Sequence, residues 1–224
     1  LRAGLVKKLS SGLYTYGYLF LKAMRKLETI VREELDQISA HEILMPIVQP
    51  KHLWEESGRW GYGDLQTFQN KKSYDFCLGP THEEVVTDYV RNDITSYKEL
   101  PYNVYQIQTK YRDEIRPRFG LMRAKEFVMK DAYSFDKDES SAHTSYENYR
   151  SAYIRIFDRL GLSYRVVKAD SGAIGGSLTE EFQILADIGE DLLLVSTEGD
   201  FAANIEICPR LPALVKDSKV LDDL

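Results

Sequence analysis

The chain predicts an α+β fold, an antiparallel β-sheet flanked by helices. Two long stretches carry apolar residues at helical spacing, around residues 19–39 and 146–160. Several short β-branched and aromatic segments are bounded by Gly, Pro and polar residues. These segments come in runs instead of alternating regularly with helices, which favours an antiparallel sheet over a parallel one.

In chain order, Phe20, Met24, Leu27, Val31, Leu35 and Ile38 form one stripe, so Leu19 to Ser39 is an expected amphipathic helix. His41 to Val48 is an expected strand ending near Pro46. Trp54 to Asp64 is aromatic, glycine-bearing and irregular, and reads as a surface loop. Tyr74 to Leu78 is a short strand. Thr81 opens a helix with Val85, Val86, Tyr89 and Val90 on its buried side, and Thr81 with Glu84 has the spacing of a capping box. Tyr146, Tyr149, Tyr153, Phe157 and Leu160 mark a further helix, with Gly161 at its C-terminal cap. Tyr164 to Lys168, Glu181 to Leu185, Asp191 to Val195 and Phe201 to Ile205 are further strands.

Composition narrows the function classes. With 224 residues and 43% hydrophobic content, the chain can bury a good core. No apolar run approaches the roughly 20 residues that span a bilayer, and no secretory apolar segment opens it. Cys77 and Cys208 are far apart, which argues against a zinc cluster or disulfide framework and suits a reducing cytoplasm. His41, His52, His82 and His143 do not sit at ligand spacing, so no protein-held metal is expected. The net charge of −6 withholds a broad basic footprint for nucleic acid.

The stretch with the most chemistry is Lys110 to Asp131, KYRDEIRPRFGLMRAKEFVMKD. It reads as two strands joined by a Pro/Gly turn. Alternation places Gln106, Gln108, Lys110, Arg112 and Glu114 on one face before the turn, and Arg123, Phe127 and Asp131 on one face after it. A polar face with two arginines, a glutamate and one aromatic ring reads as the floor of a nucleotide site.

Arg112-Asp-Glu114, a loop, then Arg123-x-x-x-Phe127-x-x-x-Asp131 resembles motif 2 of the class II aminoacyl-tRNA synthetases. Gly79-Pro-Thr81-His-Glu83-Glu84 and Arg116-Pro-Arg-Phe-Gly120 resemble the bacterial prolyl type, over about Leu5 to Glu206. The helix, strand and proline around residues 19–46 resemble motif 1, which in that family forms a homodimer interface. One departure is Tyr16-Gly-Tyr-Leu-Phe20, where the family often carries a Pro/Gly turn.

The resemblance implies a class II catalytic core that activates proline with ATP and Mg²⁺ and passes it to proline tRNA, as a cytoplasmic enzyme. It implies that Arg112 contacts the α-phosphate and the substrate carboxylate and that Arg123 reaches the terminal phosphates. It also implies that Phe127 stacks on adenine and that Glu114 bonds the adenine edge. Thr81 and Glu83 would bind the proline ring nitrogen, a secondary ammonium whose two N–H donors suit a carboxylate beside a hydroxyl. Arginine suits phosphate and carboxylate because its fork donates two parallel bonds and keeps its charge.

Ser171 to Phe182 is glycine-rich, and in the family a similar segment lies near the amino-acid pocket. Glu180-Glu181 replaces the usual His–Glu pair there, leaving Glu181 as a possible Mg²⁺ contact. Residues 1–206 are thus expected to form part of the catalytic domain, with 207–224 opening an inserted editing domain or a linker. The third class II motif and an anticodon-binding domain do not occur in these residues, so the chain alone is expected not to charge tRNA. The alternatives are a non-catalytic ATP-binding or interaction module of the same fold, and a serine or threonine specificity, against which Thr81-His-Glu83 argues.

Overall fold

A computed structural model describes residues 3–169, 178–186, 189, 192–196 and 202–205. The chain forms two compact units, Leu1–Ile156 and Phe157–Leu224.

The first unit opens on a hairpin, β1 (Val6–Ser10) and β2 (Leu13–Tyr16), that periodicity does not reveal. Its turn residue Gly12 has φ +75°, and a Cβ there would stand 2.7 Å from the Lys125 side chain. The tip therefore docks closely, its Gly12 carbonyl accepting from the Lys125 amide at 2.9 Å. Helix α1 (Tyr18–Asp36) follows, with Val31, Glu34 and Leu35 buried. Arg155 ties Glu34 at 2.6 Å, linking α1 to α4 (Glu139–Arg159). As expected, α4 ends at Gly161, which has φ +66°.

The expected strand over 41–48 is broken. Only β3 (His41–Glu42) and β4 (Val48–Pro50) are extended and paired. At Met45, between them, side chains take the place of a sheet partner. Gln106 Oε1 accepts from the Met45 amide at 3.1 Å, and Gln108 Nε2 donates to the Met45 carbonyl at 2.8 Å. Backbone groups satisfied this way need no neighbouring strand.

The expected loop over 54–64 begins instead as a short helix, α2 (Lys51–Glu56). Trp54 is fully buried, its Nε1 donating to Gln49 Oε1 at 2.8 Å. Strand β4 pairs with β6 (Asp75–Leu78), which pairs with β5 (Gln66–Gln69). Helix α3 (Glu83–Asp93) buries Glu84, Val86 and Val90, while Tyr89 faces solvent and Val85 is partly buried.

The long strands β7 (Tyr102–Tyr111) and β8 (Glu126–Phe135) pair antiparallel along their whole length, and β3 adds to β7 in parallel. Met45, Val86, Val90 and Val104 form the core here, packed by Ile43, Ile94, Tyr102, Tyr133 and Phe135. The motif 2 strands are shorter than expected. Residues 112–125 form a loop with a turn at Phe119 (φ 53°) and Gly120 (φ 63°), so Arg112, Glu114 and Arg123 are loop residues and strand alternation does not set their direction.

In the second unit, β9 (Tyr164–Lys168), β10 (Glu180–Ile184), β11 (Leu193–Val195) and β12 (Ala202–Asn204) form a sheet in the order β10-β9-β12-β11. The expected strands are present with ends shifted by one or two residues. The β9–β12 pairing is parallel, which makes this sheet mixed. Phe157, Tyr164 and Phe182 stack with centroids 5.0–5.7 Å apart. Most of the glycine-rich approach, 171–177, and the expected inserted segment at 207–224 lie outside the described residues. Among the described residues, no helix is long and apolar enough to cross a membrane.

Candidate active site

The segment Gly79-Pro80-Thr81 is held from two sides. Its Gly79 amide donates to the Ile47 carbonyl at 2.8 Å, and its Gly79 carbonyl accepts from the Tyr111 amide at 3.1 Å. Gln49, fully buried, donates from Nε2 to the Thr81 carbonyl at 3.0 Å. A Cβ at position 79 would lie 2.2 Å from that Nε2, so only glycine lets Gln49 reach the segment.

Arg112 leaves the end of β7 and turns back to this segment. Its Nε donates to the Pro80 carbonyl at 3.3 Å, and its guanidinium lies 5.5 Å from the Phe127 ring centroid. Thr81 Oγ1 donates to Glu83 Oε2 at 2.5 Å. The fold thus gathers Arg112, Phe127, Thr81 and Glu83 at one place, a cationic fork beside a hydroxyl–carboxylate pair. All four are half-buried, open to a ligand yet screened from bulk water.

The expected capping box does not form. His82 is the N-cap of α3 and makes no side-chain cap bond. Glu84 turns inward to Ser57 Oγ (2.9 Å) and Arg59 Nη1 (3.0 Å). Those two partners come from more than twenty residues upstream, a contact that local spacing cannot report.

Glu114 and Arg123 pair with each other, Nε to Oε2 at 2.6 Å, and the Arg116 amide donates to Glu114 Oε1 at 3.0 Å. The Arg123 fork first, then that amide, hold the Glu114 carboxyl below the usual range. Glu181 belongs to the second unit, on β10, where Gln183 Nε2 donates to its Oε2 at 2.6 Å. Among the described residues, no group of three His, Cys, Asp or Glu side chains is placed to hold a metal.

Arg59 was not singled out from sequence, and the surroundings of His82 and of the Gln106–Lys110 face were not legible there. Arg59 lies between Glu83 (3.4 Å) and Glu84 (3.0 Å), with its guanidinium 5.3 Å from the Trp54 ring and 5.6 Å from Tyr62. A cleft of about 280 Å³ there is lined by Ser57, Arg59, Glu83, Glu84 and Arg91. His82 is fully buried and its Nε2 donates to the Pro46 carbonyl at 3.1 Å. Burial above all, then the Lys110 ammonium, lower its pKa to about 4, so the ring is neutral near pH 7. The polar run Gln106, Gln108, Lys110 was visible as a face, but its burial was not: Gln106 and Lys110 have no solvent exposure.

Residues 67–216 match the family model described as the tRNA synthetase class II core domain (G, H, P, S and T). The chain is 58% identical over 207 residues to a proline–tRNA ligase of Nitratidesulfovibrio vulgaris, covering 92% of this chain and 36% of that one. It is 60% identical over 215 residues to a proline–tRNA ligase of Solidesulfovibrio magneticus, covering 93% and 37%. The corresponding enzyme of Geobacter sulfurreducens is 57% identical, over 95% of this chain and 38% of that one. The chain therefore spans little more than a third of the length of these curated relatives. Among solved structures, prolyl-tRNA synthetase from Cryptosporidium parvum, complexed with L-proline and AMP, has a similar fold. Its TM-score is 0.70 at 16% identity, over 81% of this chain and 38% of that one.

Proposed function

Since the chain belongs to the class II tRNA synthetase core-domain family, we propose that it is the proline- and ATP-binding part of a proline–tRNA ligase. The observation that carries this reading is the closeness of Arg112 to the Thr81–Glu83 pair, through the Pro80 carbonyl. A small amino acid presents a carboxylate and an ammonium a few bonds apart. Here a fork that binds carboxylates adjoins a carboxylate and hydroxyl that bind ammonium groups.

In this reading proline lies between the two, its ring nitrogen on Thr81 and Glu83 and its carboxylate toward Arg112. The carboxylate attacks the α-phosphorus of ATP, and pyrophosphate leaves. Arg112 stabilises charge on the phosphoryl oxygens, and orientation supplies much of the acceleration. The Arg112 guanidinium lies over Phe127, so the fork and the ring stand together for phosphate and adenine. Glu114 and Arg123, paired at the loop, would meet the adenine edge and the terminal phosphates. Mg²⁺ carried with ATP would neutralise phosphate charge. Its ligands there would be mainly phosphate oxygens and water. Transfer of the prolyl group to proline tRNA would complete the reaction in the cytoplasm.

Glu83→Gln keeps size but removes charge. In the complete protein it should raise the proline KM by roughly 10- to 100-fold, the equivalent of about 1.5–3 kcal/mol for a charged hydrogen bond, with little change in the ATP KM. The assay is proline-dependent exchange of pyrophosphate into ATP. If proline KM did not move, the carboxylate would lose its role. Absence of exchange in the wild-type protein, with nucleotide binding retained, would favour the non-catalytic module.

A homodimer through the motif 1 region is part of the same proposal. Leu44 is 75% exposed and Val48 42%, beside an α1 whose Leu19 and Leu27 are 62% and 44% exposed. Several large apolar side chains exposed in one region of the chain suit an interface. Sedimentation of the complete protein should show a dimer at micromolar concentration, and replacing Leu44 by Glu should shift it toward monomer. A monomer in the wild type would count against the interface.

A further inference from the structure

We propose that Lys110, Asp131 and Tyr133 form a positioning relay beneath the amino-acid pocket, which turns the Thr81 and Glu83 oxygens into an all-acceptor wall for an ammonium ligand. The inference rests on the function proposed above.

The relay is continuous. Lys110, with no solvent exposure, runs along β7 and places Nζ 2.7 Å from Asp131 Oδ1 on β8. Asp131 Oδ2 accepts from Gln106 Nε2 at 2.9 Å and from the Tyr133 hydroxyl at 2.6 Å. The Tyr133 hydroxyl lies against the Thr81 side chain, and Thr81 Oγ1 donates its one proton to Glu83 Oε2 at 2.5 Å. Packing alone gives no reason for an ion pair here. Position 110 faces Phe127 across the strands, a place where an aliphatic side chain packs well. Desolvating two charges often costs more than their attraction returns.

Proton direction supplies the reason. Asp131, paired with Lys110, accepts through Oδ2 from the Tyr133 hydroxyl, so the Tyr133 proton is committed to Asp131. Tyr133 then has no proton to give Thr81, and the single Thr81 proton goes to Glu83, so the lone pairs of Thr81 Oγ1 stay free to accept. No O–H of this group is left to point outward. A secondary ammonium, which only donates, fits that surface. A ring oxygen in the same position, which only accepts, does not. Neutral His82, held by Pro46, closes the same side without adding positive charge.

The test uses the complete protein and two variants. Lys110→Met/Asp131→Asn removes both charges together, leaving no uncompensated ion, and keeps an acceptor for Tyr133. Tyr133→Phe cuts the relay in the middle while keeping the ring. Proline and ATP KM are read from pyrophosphate exchange, and thermal melts are recorded beside them. Tetrahydrofuran-2-carboxylate, with an oxygen in place of the ring nitrogen, is used as a competitor. Both variants should raise proline KM by about tenfold, as for one lost charge-assisted hydrogen bond. The ATP KM, the competitor's inhibition constant and the melting temperature should stay near wild type. If the double variant does not fold, Tyr133→Phe decides. An unchanged proline KM would overturn the relay. So would a parallel rise in both KM values with a falling melting temperature, the mark of a merely structural pair. Wild-type protein without exchange would instead remove the proposed function, and this inference with it.

Discussion

Arg112→Ala in the complete protein should lower proline-dependent pyrophosphate exchange by roughly 100- to 1,000-fold, the range for removing one donor that stabilises charge in a transition state. The side chain has two observed partners to lose, the Pro80 carbonyl and the Phe127 ring, besides the proposed ligands. Its fork would no longer reach phosphate and carboxylate, its Nε bond to the Pro80 carbonyl would vanish, and Phe127 would lose the cation on its face. Arg112→Lys keeps a charge but lacks the planar fork and the stacking surface, so it should recover only a small part of the activity. Folding should survive in both, because Arg112 is half-buried and lies beyond the end of β7. Near-normal exchange in Arg112→Ala would remove it from the phosphate site, whatever the motif suggests.

Trp54→Ala should destabilise the protein by about 3–5 kcal/mol, the range for truncating a large buried aromatic side chain. Trp54 has no exposed surface, and its indole N–H holds Gln49, which in turn holds the Thr81 carbonyl. The loss should therefore show twice, in urea unfolding and in the proline KM. Trp54→Phe separates the two effects. It keeps most of the volume but leaves Gln49 Oε1 buried without its donor, at a cost of about 1–3 kcal/mol. A Trp54→Ala protein that unfolds at the wild-type urea concentration would contradict the packing described here.

Where sequence reasoning succeeded, the signal was short-range. The stripe from Phe20 to Ile38 repeats at the helical period, and α1 occupies residues 18–36. Gly161 ends α4 because a residue with positive φ is needed there and glycine supplies it. Arg112, Glu114, Arg123 and Phe127 were legible as a group by spacing and residue type. Their direction was not: Arg112, Glu114 and Arg123 leave the strands, and it is hydrogen bonds to Pro80 and within the loop that aim them.

Two of the failures share a cause, a partner distant in the chain. Thr81 and Glu84 have the local spacing of a capping box, but Arg59 and Ser57 claim the Glu84 carboxylate. The segment 43–47 has the composition of a strand, but side chains of Gln106 and Gln108 satisfy Met45 and no ladder is required. Trp54 sits among glycines and charges that suggest a loop, and only Gln49 and the surrounding packing reveal it as core.

By itself, then, the sequence determined the three longer helices, several of the strands and the class of fold, because periodicity is a property of neighbouring residues. The tertiary structure alone decided that Gly79 must lack a side chain to admit Gln49, that Arg112 turns back onto Pro80, and that Lys110 is a buried ion meeting Asp131. Those outcomes depend on which groups are brought within about 3 Å of one another and shut off from water, where an unpaired polar group is costly. No local pattern encodes that proximity.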